Sequence, residues 1–454
     1  MQKKENKMEK LVSLAKRRGF VYPGSEIYGG LANTWDYGPY GVQLKKNIID
    51  AWWRRFVENR LDMVGMDSAI FMNPKVWEAS GHVDNFTDPL VDCKECKERF
   101  RADHLAEENG VALDEVAKLP CPNCKGELTE PRTFNLMFET HIGPVSSDNK
   151  PVYLRGEIAQ GMFVNFKNVI DTMRMKLPFG IAQYGKAFRN EITAGNYLFR
   201  QIEFNLMEFE YFIAPPKSDE DWQKVFEEWL GEMKEWIRSL GIKDDEVYFH
   251  EIEGDDLAHY SKRTVDIEYH YPFGLKELYG LAYRTDHDLK NHMEASGADM
   301  RYTDPNTGEK YLPHVIEPSF GIDRTFLATI LSAYDEEEAP TANDGEVETR
   351  VVMRLPKHLA PVQVAVLPLS KKEPLQVKAK EIAKAIGQKQ RIEYDESGSI
   401  GKRYRRQDEI GTPYCVTVDF DTLEDGAVTV RDRDTMRQDR VAIVELYDWL
   451  ARNL

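Results

Sequence analysis

The chain has 454 residues, 42 % hydrophobic and 30 % charged, with a formal net charge of −17. That length suffices for two or three domains with a sizeable core, and the acidic balance argues against a protein that coats nucleic acid without specificity. The charge is uneven: residues 357–454 carry 17 Lys+Arg against 16 Asp+Glu, so the tail is electrostatically distinct and suited to an RNA-facing module.

Residues 1–10, MQKKENKMEK, are charged and lack the apolar core of a signal segment. No run approaches the roughly 20 apolar residues of a membrane span. Four of the five cysteines form two CxxC pairs, which suits a reducing compartment and a metal better than disulfides. The expectation is a cytoplasmic protein with no membrane partner.

In chain order, residues 8–20 read as a helix. Glycines then punctuate a loop-rich segment, PGSEIYGGLANTWDYGPYG. Leu44, Ile48, Trp52 and Phe56 form one apolar stripe on a helix over 42–60. Residues 66–72 read as a strand stopped by Pro74. Residues 84–150 read as an insertion with a charged middle and few strand signals. Strand resumes at 151–154 and helix at 158–170. Residues 179–189 and 198–212 read as an antiparallel pair around Gly195-Asn196. A helix over 217–240 is spaced to bury Trp222, Phe226, Trp229, Met233 and Trp236. Strands at 265–271 and 277–285 and a helix at 322–331 follow. Residues 335–348, DEEEAPTANDGEVE, are acidic with Pro and Gly and read as a linker or surface loop. Beyond Pro361, VQVAVLPL, RIEYDE, YCVTVDF and AVTVRD read as strands, alternating with helices at 374–387 and 441–453. That pattern makes a small α/β domain.

Three runs carry chemistry: FRNE (188–191), FRQIEF (199–204) and EPSFGIDR (317–324). They offer arginines, an aromatic face, acids and a tight glycine, as a site needs to hold a nucleoside triphosphate beside a small amino acid. Arginine makes planar, bidentate phosphate contacts. Phe204 has a ring for a purine, and Glu191 an acceptor for an exocyclic amine. On residue types alone, a surface hairpin with a solvated Arg/Glu ladder is the stronger reading. Cys93 and Cys96 are separated by 24 residues from Cys121 and Cys124, a tetrahedral zinc signature in which four thiolates close a structural site. Cys415 reads as a buried thiol in an apolar strand. Lys402, Arg403, Arg405 and Arg406 form a basic cluster able to track a phosphate backbone, or a solvated helix end.

The order of the runs adds specificity. FRNE followed by RQIEF resembles motif 2 of the class II aminoacyl-tRNA synthetases, and EPSFGIDR resembles motif 3. The helix 42–60, the strand 66–72 and Pro74 resemble motif 1, which builds the dimer interface in that class. PGSEIYGGLANTWDYGPYG, MNPKVWEASGH, AQGMFVNFKNV, RTDHDLKNHM and GSIGKRYRRQDEIGTP narrow the match to glycyl-tRNA synthetases of the homodimeric kind, from about residue 10 to the C-terminus.

The resemblance implies an α/β fold. Its α+β catalytic domain is a class II antiparallel sheet flanked by helices, with a zinc-ribbon-like insertion and a C-terminal α/β anticodon-binding domain. Residues 1–83 would be the N-terminal part of the catalytic domain, 84–150 the cysteine-containing insertion, and 151–334 the remainder with a helical insertion near 217–262. Residues 335–360 would be a linker and 361–454 the anticodon-binding domain. The implied activity joins glycine to ATP as glycyl-adenylate and transfers it to the 3′ end of tRNA(Gly). Mg²⁺ would be needed, zinc would be structural, the assembly would be a homodimer, and no DNA partner is expected.

Site roles follow the matching positions. Arg189, Glu191 and Arg324 form the implied catalytic set: Arg189 on the α-phosphate, Glu191 on the adenine amine, and Arg324 stacking adenine opposite Phe204. Arg200 would reach the γ-phosphate side, and Glu277 in KELYG would hold Mg²⁺. Asn190, Phe199, Gln201, Ile202, Glu203, Leu278, Gly321, Ile322 and Asp323 complete the implied ATP-binding runs. Arg101 (with Arg99 the lesser choice), Glu157, Phe204, Glu208, Glu317, Ser319 and Gly321 are the implied glycine-binding residues. One departure stands out: Gly156 occupies the place of the proline in the family's segment before this glutamate. The rival reading, a catalytically inactive synthetase-like RNA- or DNA-binding accessory protein, should lose the motif arginines, and all three are present.

Overall fold

The structure, a computed structural model, describes residues 2–143, 151–192, 195–254, 257, 260–340 and 347–454. Helix α1 (Gln2–Arg18) lays Leu11, Leu14 and Ala15 on the main core. Helix α2 (Pro39–Trp53) begins with a proline in its first turn, where the missing N–H has no intrahelical partner to lose. It buries Leu44, Ile48 and Trp52 as their spacing predicts, and passes into a π-helical turn, Arg54–Glu58, that keeps Phe56 in the same core.

The expected strand at 66–72 is displaced. Strand β1 is Met63–Gly65, and downstream only Phe71 makes an isolated bridge, to Leu154. Past β1, Ser68 N donates to the Gln183 side chain at 3.1 Å in place of a strand partner, and the Asn73 side chain accepts from Lys75 N at 3.1 Å, capping helix α3 (Pro74–Ala79). A short helix, α4 (His82–Asn85), follows.

The insertion contains more strand than its charged sequence suggests. Strands β2 (Thr87–Asp92), β3 (Arg99–Arg101) and β4 (Arg132–Asn135) form a sheet in the order β3-β2-β4. It has its own small core, including Val91, Ala102, Leu105, Val116 and Leu128. Its strands are short and partly exposed, so alternation is weak. Residues 144–150, at the insertion's end, lie outside the described residues.

Helix α5 (Ala159–Val164) leads to the central sheet. Its strands are β5 (Phe179–Phe188), β6 (Glu203–Ile213), β7 (Val247–Ile252), β8 (Arg263–Tyr271), β9 (Gly274–Thr285) and β10 (His314–Gly321). With β1 they run in the order β7-β8-β9-β10-β6-β5-β1. All pairs are antiparallel except β1 with β5. Helix α6 (Asp219–Ser239) starts at Ser218, whose backbone N–H donates to Asp221, and buries all five predicted aromatic and methionine positions. Helices α7 (His287–Ser296) and α8 (Ile322–Ala333) complete the body.

Residues 198–202 do not extend β6 as expected. Asn196 and Tyr197 adopt φ of 56° and 62°, so the chain coils there, and only Gly195 and Arg200 bridge. Phe199 packs instead against Tyr271 and Phe273, at ring separations of 5.1 and 5.2 Å.

The acidic linker is also different from its expectation. Strands β11 (Tyr334–Pro340) and β12 (Val347–Met353) pair as a hairpin around residues 341–346, which lie outside the described residues. Its polar sequence hides the buried Ala339, Arg350 and Val352. The C-terminal domain has strands β13 (Val364–Pro368), β14 (Ile392–Tyr394), β15 (Tyr414–Val418), β16 (Ala427–Asp432) and β17 (Gln438–Ala442), ordered β14-β13-β15-β16-β17, with helix α9 (Ile400–Ile410) among its helices. Strand β17 escapes sequence reading because QDRVA is a largely exposed edge.

The basic cluster on α9 is mostly engaged inside the protein. Arg403 is buried and donates to Gly398 O at 3.0 Å and to Pro368 O. Arg405 pairs with Glu348 at 2.7 Å and Arg406 donates to Asp395 at 2.9 Å, leaving Lys402 as the exposed cation of the four. Between them, Arg350 donates to Asp408 at 2.7 Å, and Arg431 reaches the same carboxylate at 2.9 Å, tying the hairpin to the C-terminal domain. Cys415 is buried, as its apolar strand suggests.

Candidate functional site

Because side chains alternate along a strand, Phe204, Leu206, Glu208 and Glu210 share one face of β6. Register places Glu208 opposite Ser319 on β10 and Gln183 on β5, and Ser319 opposite Gly280 on β9. This face opens on a cleft of about 140 Å³. Among the expected ATP-binding residues, Arg189, Glu191, Phe199, Arg200, Gln201, Phe204, Glu277, Leu278, Gly321, Asp323 and Arg324 line it.

Four others do not. Asn190 contributes its backbone N–H to Leu136 O at 2.8 Å, and Ile202 its carbonyl to Arg189 N at 3.0 Å. Glu203 is exposed and pairs with Lys186, and Ile322 is buried in the core. Asp323 lines the cleft with its carboxylate already engaged, accepting from Asn205 N at 2.6 Å and from the Tyr37 hydroxyl.

At the arginine-bearing end, Arg324 stands on the first turn of α8. It donates to Glu277 O at 3.0 Å and Phe199 O at 3.3 Å, and lies 3.0 Å from Glu277 Oε2. Its guanidinium covers the Phe199 ring at 4.4 Å. Arg189 sits between the rings of Phe86 and Phe204, at 5.0 and 5.3 Å, and donates to Gly156 O at 3.1 Å. Arg200 lies 3.9 Å from Glu191. Glu277 faces Glu268 across the strand pair. Burial, together with the charges of Glu277 and Glu268, pushes the neighbouring Asp266 up to about 7. These crowded carboxylates are the donor chemistry a hard divalent cation takes.

The other end is acidic and buried. Ser319 Oγ donates to Glu208 Oε1 at 2.7 Å, while Glu208 Oε2 receives no donor. Arg284 donates to Glu317 at 2.9 Å and twice to Asp288 at 2.9 Å. Gln160 donates to Glu157 at 2.9 Å, and His82 Nε2 lies 3.2 Å from its other oxygen. Glu208, Phe204, Ser319 and Gly321 line the cleft, with Glu157 and Glu317 beyond its lining.

The acids hold different charges. Burial and the charge of Glu317 push Glu208 up to about 8. Burial also works against ionisation at Glu157, but His82 and Arg284 outweigh it and hold that carboxyl well below the usual range. Burial raises Glu317, with Arg284 opposing and Glu157 adding to the rise.

Gly156 has a local reason. A Cβ there would stand 3.0 Å from Met137 Sδ and 3.1 Å from Phe86 Cε1, so the strand-side wall closes directly over it. Arg101 donates to Asp88 at 2.7 Å and Asp103 at 3.1 Å, and does not line the cleft. The four cysteines gather: Cys93 and Cys124 sulfurs are 3.4 Å apart, Cys96 and Cys121 3.7 Å, and all lie within 4.8 Å of one another. These edges fit a tetrahedron with metal–sulfur bonds of about 2.3 Å.

Sequence reasoning missed His82, Phe86, Gln160, Arg284, Asp288 and Glu210. Glu210 is fully buried with no donor on either oxygen, and burial with the charge of Glu317 pushes it well above the carboxylate range. The available signal was membership in the quoted runs: His82 ends MNPKVWEASGH, Gln160 lies in AQGMFVNFKNV, and Arg284 and Asp288 lie in RTDHDLKNHM.

Residues 142–334 match the tRNA synthetase class II core domain (G, H, P, S and T), and residues 363–453 match the anticodon binding domain. The fold and site are therefore those of a class II aminoacyl-tRNA synthetase. The chain is 52 % identical to the glycine–tRNA ligase of Thermobifida fusca over 100 % of its length and 99 % of the relative's. Identity is 54 % to the glycine–tRNA ligases of Caldanaerobacter subterraneus subsp. tengcongensis and Geobacillus kaustophilus, each over 98 % of this chain and 98 % and 99 % of theirs. The chain belongs to the glycine–tRNA ligase family and is an aminoacyl-tRNA ligase.

Proposed function

We propose that the cleft activates glycine. The glycine carboxylate attacks the α-phosphorus of ATP, a new P–O bond forms, and pyrophosphate leaves. A ribose hydroxyl at the 3′ end of tRNA(Gly) then attacks the glycyl carbonyl and AMP departs. The observation that carries this reading is the division of one cleft into an arginine end and a buried acidic end. Arg189 would bear on the α-phosphate, where charge shifts during the first step. Arg200 would meet the outer phosphates. Phe204 and Arg324 would flank adenine, and Glu191 would accept from its amine.

Glu208 Oε2, Glu157, Glu317 and Ser319 would accept the glycine ammonium. A larger side chain would overlap the packed wall, so alanine is rejected by size. Rejection by size needs no editing step. Catalysis rests on positioning and charge, with no covalent enzyme nucleophile.

Glu277, with Glu268 and Asp266 beside it, would hold Mg²⁺, which when bound would neutralise phosphate charge. Cys93, Cys96, Cys121 and Cys124 would hold a structural zinc. The C-terminal domain would read unstacked anticodon bases of tRNA(Gly). The protein would work in the cytoplasm as a homodimer formed around α2 and β1. Among the described residues, no helix is long and apolar enough to cross a membrane.

The test is ATP–pyrophosphate exchange with glycine, alanine and serine supplied separately. Stimulation by glycine alone is expected. Stimulation by alanine or serine and not by glycine overturns the substrate.

A further inference from the structure

The segment from Ser80 to Phe86 touches both ends of the cleft, though no motif reading assigns it a role. His82 Nε2 lies 3.2 Å from Glu157 Oε2, and its Nδ1 lies 2.8 Å from Ser80 Oγ. An ionised carboxylate can only accept, so the imidazole nitrogen facing Glu157 is the one that carries a proton, while Ser80 Oγ meets Nδ1 and also lies 3.4 Å from Trp77 O. The ring is held by Trp77 edge-on at 5.2 Å and by Phe86 at 5.1 Å. Phe86 in turn supports the Arg189 guanidinium.

The backbone of this segment is anchored from the insertion. Asn135 Nδ2 donates to His82 O at 3.2 Å and to Val83 O at 2.7 Å. Leu136 N donates to Phe86 O at 3.0 Å, and Leu136 O accepts from Asn190 N at 2.8 Å. The return strand of the insertion is thus bonded to α4 on one side and to the arginine-bearing run on the other.

A buried carboxylate takes up a proton unless donors hold its charge. Gln160 donates to one oxygen of Glu157 at 2.9 Å, and the His82 imidazole stands 3.2 Å from the other, within ion-pair distance. Each oxygen keeps a second lone pair for an ammonium. We propose that His82 is a positioning residue for glycine: it fixes Glu157, ionised and in one orientation, for the substrate ammonium, with Ser80 fixing the ring. This rests on the reading of Glu157 as an ammonium acceptor.

The test is exchange kinetics of the full chain with His82→Phe, His82→Gln, Ser80→Ala and Glu157→Gln. His82→Phe keeps a ring between Trp77 and Phe86 and removes the donor. It should raise the glycine KM by about tenfold or more, as loss of a hydrogen bond to a charged group does, with the ATP KM within about twofold. His82→Gln, which retains an N–H, should recover most of the loss, and Ser80→Ala should raise the glycine KM a few-fold. An unchanged glycine KM in His82→Phe, or an equal rise for ATP, overturns the proposal. Should His82→Phe not fold, an unchanged glycine KM in Ser80→Ala overturns it. If Glu157→Gln leaves the glycine KM unchanged, the reading of Glu157 itself is wrong. If Glu157→Gln raises the glycine KM and His82→Phe does not, only the role of His82 fails.

Discussion

At one end of the cleft, Arg200 and Arg324 keep side-chain exposures of 30 % and 22 %, each near an acid. At the other, Glu208 and Glu210 are buried on adjacent same-face positions of β6, opposite a strand that brings Glu317. The arginines stay partly open to solvent, as cations that would meet a negatively charged ligand do. The acids are buried, and burial with the charge of Glu317 pushes Glu208 and Glu210 toward the neutral form. Under the proposed function, one cleft would bind its two substrates by different physics, charge attraction at a wetter end and relief of desolvation at a dry one.

The largest expected effect tests the wet end. Arg189→Ala should lower the rate of ATP–pyrophosphate exchange about 10²–10³-fold, the usual loss when one fixed stabiliser of developing charge is removed. A wild-type exchange rate would remove this residue from the chemistry.

Next comes the dry end. Glu208→Gln should cut kcat/KM for glycine roughly 10–100-fold, because a neutral amide cannot complement an ammonium. The pH dependence has a definite sign. The Glu208 carboxyl, at about 8, is largely protonated at neutral pH under burial and the charges of Glu317 and Glu157, with Ser319 and Arg189 opposing. The glycine KM of the wild type should therefore fall as pH rises from 7 toward 8.5, and Glu208→Gln should lose that slope. Stability moves the other way. The unfolded chain releases this proton near 4.5 while the folded chain keeps it to about 8. The empty protein should thus lose stability as pH rises through that window, read as a falling Tm that glycine offsets.

A smaller effect joins the two ends. Chelation of the zinc that the four cysteines would hold, or Cys93→Ser, should raise the glycine KM a few-fold and the ATP KM less, because Asn135 and Leu136 at the insertion's root anchor the His82–Phe86 segment. Metal analysis of freshly purified protein should give about one zinc per chain. The smallest change is expected at Arg101. Its partly buried pairs with Asp88 and Asp103 lie outside the cleft lining, so Arg101→Ala should alter the glycine KM roughly fivefold or less. A much larger loss would mean that Arg101 leaves Asp88 when substrate binds.

Much of the fold was legible where period and burial agree. The stripe on α2 and the aromatic face of α6 needed only helical spacing. Legibility failed where a local device overrode the pattern. Asn73 capped α3 and ended the strand signal, left-handed Asn196 and Tyr197 coiled the run before β6, and a polar hairpin passed for a linker because its buried residues are few. At the site, motif order drew attention to Arg189, Glu191, Arg200 and Arg324, yet left Asn190, Glu203 and Ile322 indistinguishable from the residues that line the cleft.

By itself the sequence determined the class of enzyme, the order of its motifs and the four-cysteine site, because these are written in residue type and spacing. Only the tertiary structure decided which acids are buried and pushed toward the neutral form, that His82 stands against Glu157, and that three of the four basic residues on α9 are engaged internally. The reason is physical. Ionisation and pairing depend on burial and on partners far along the chain, as with Glu208 and Ser319, 111 residues apart and 2.7 Å from one another.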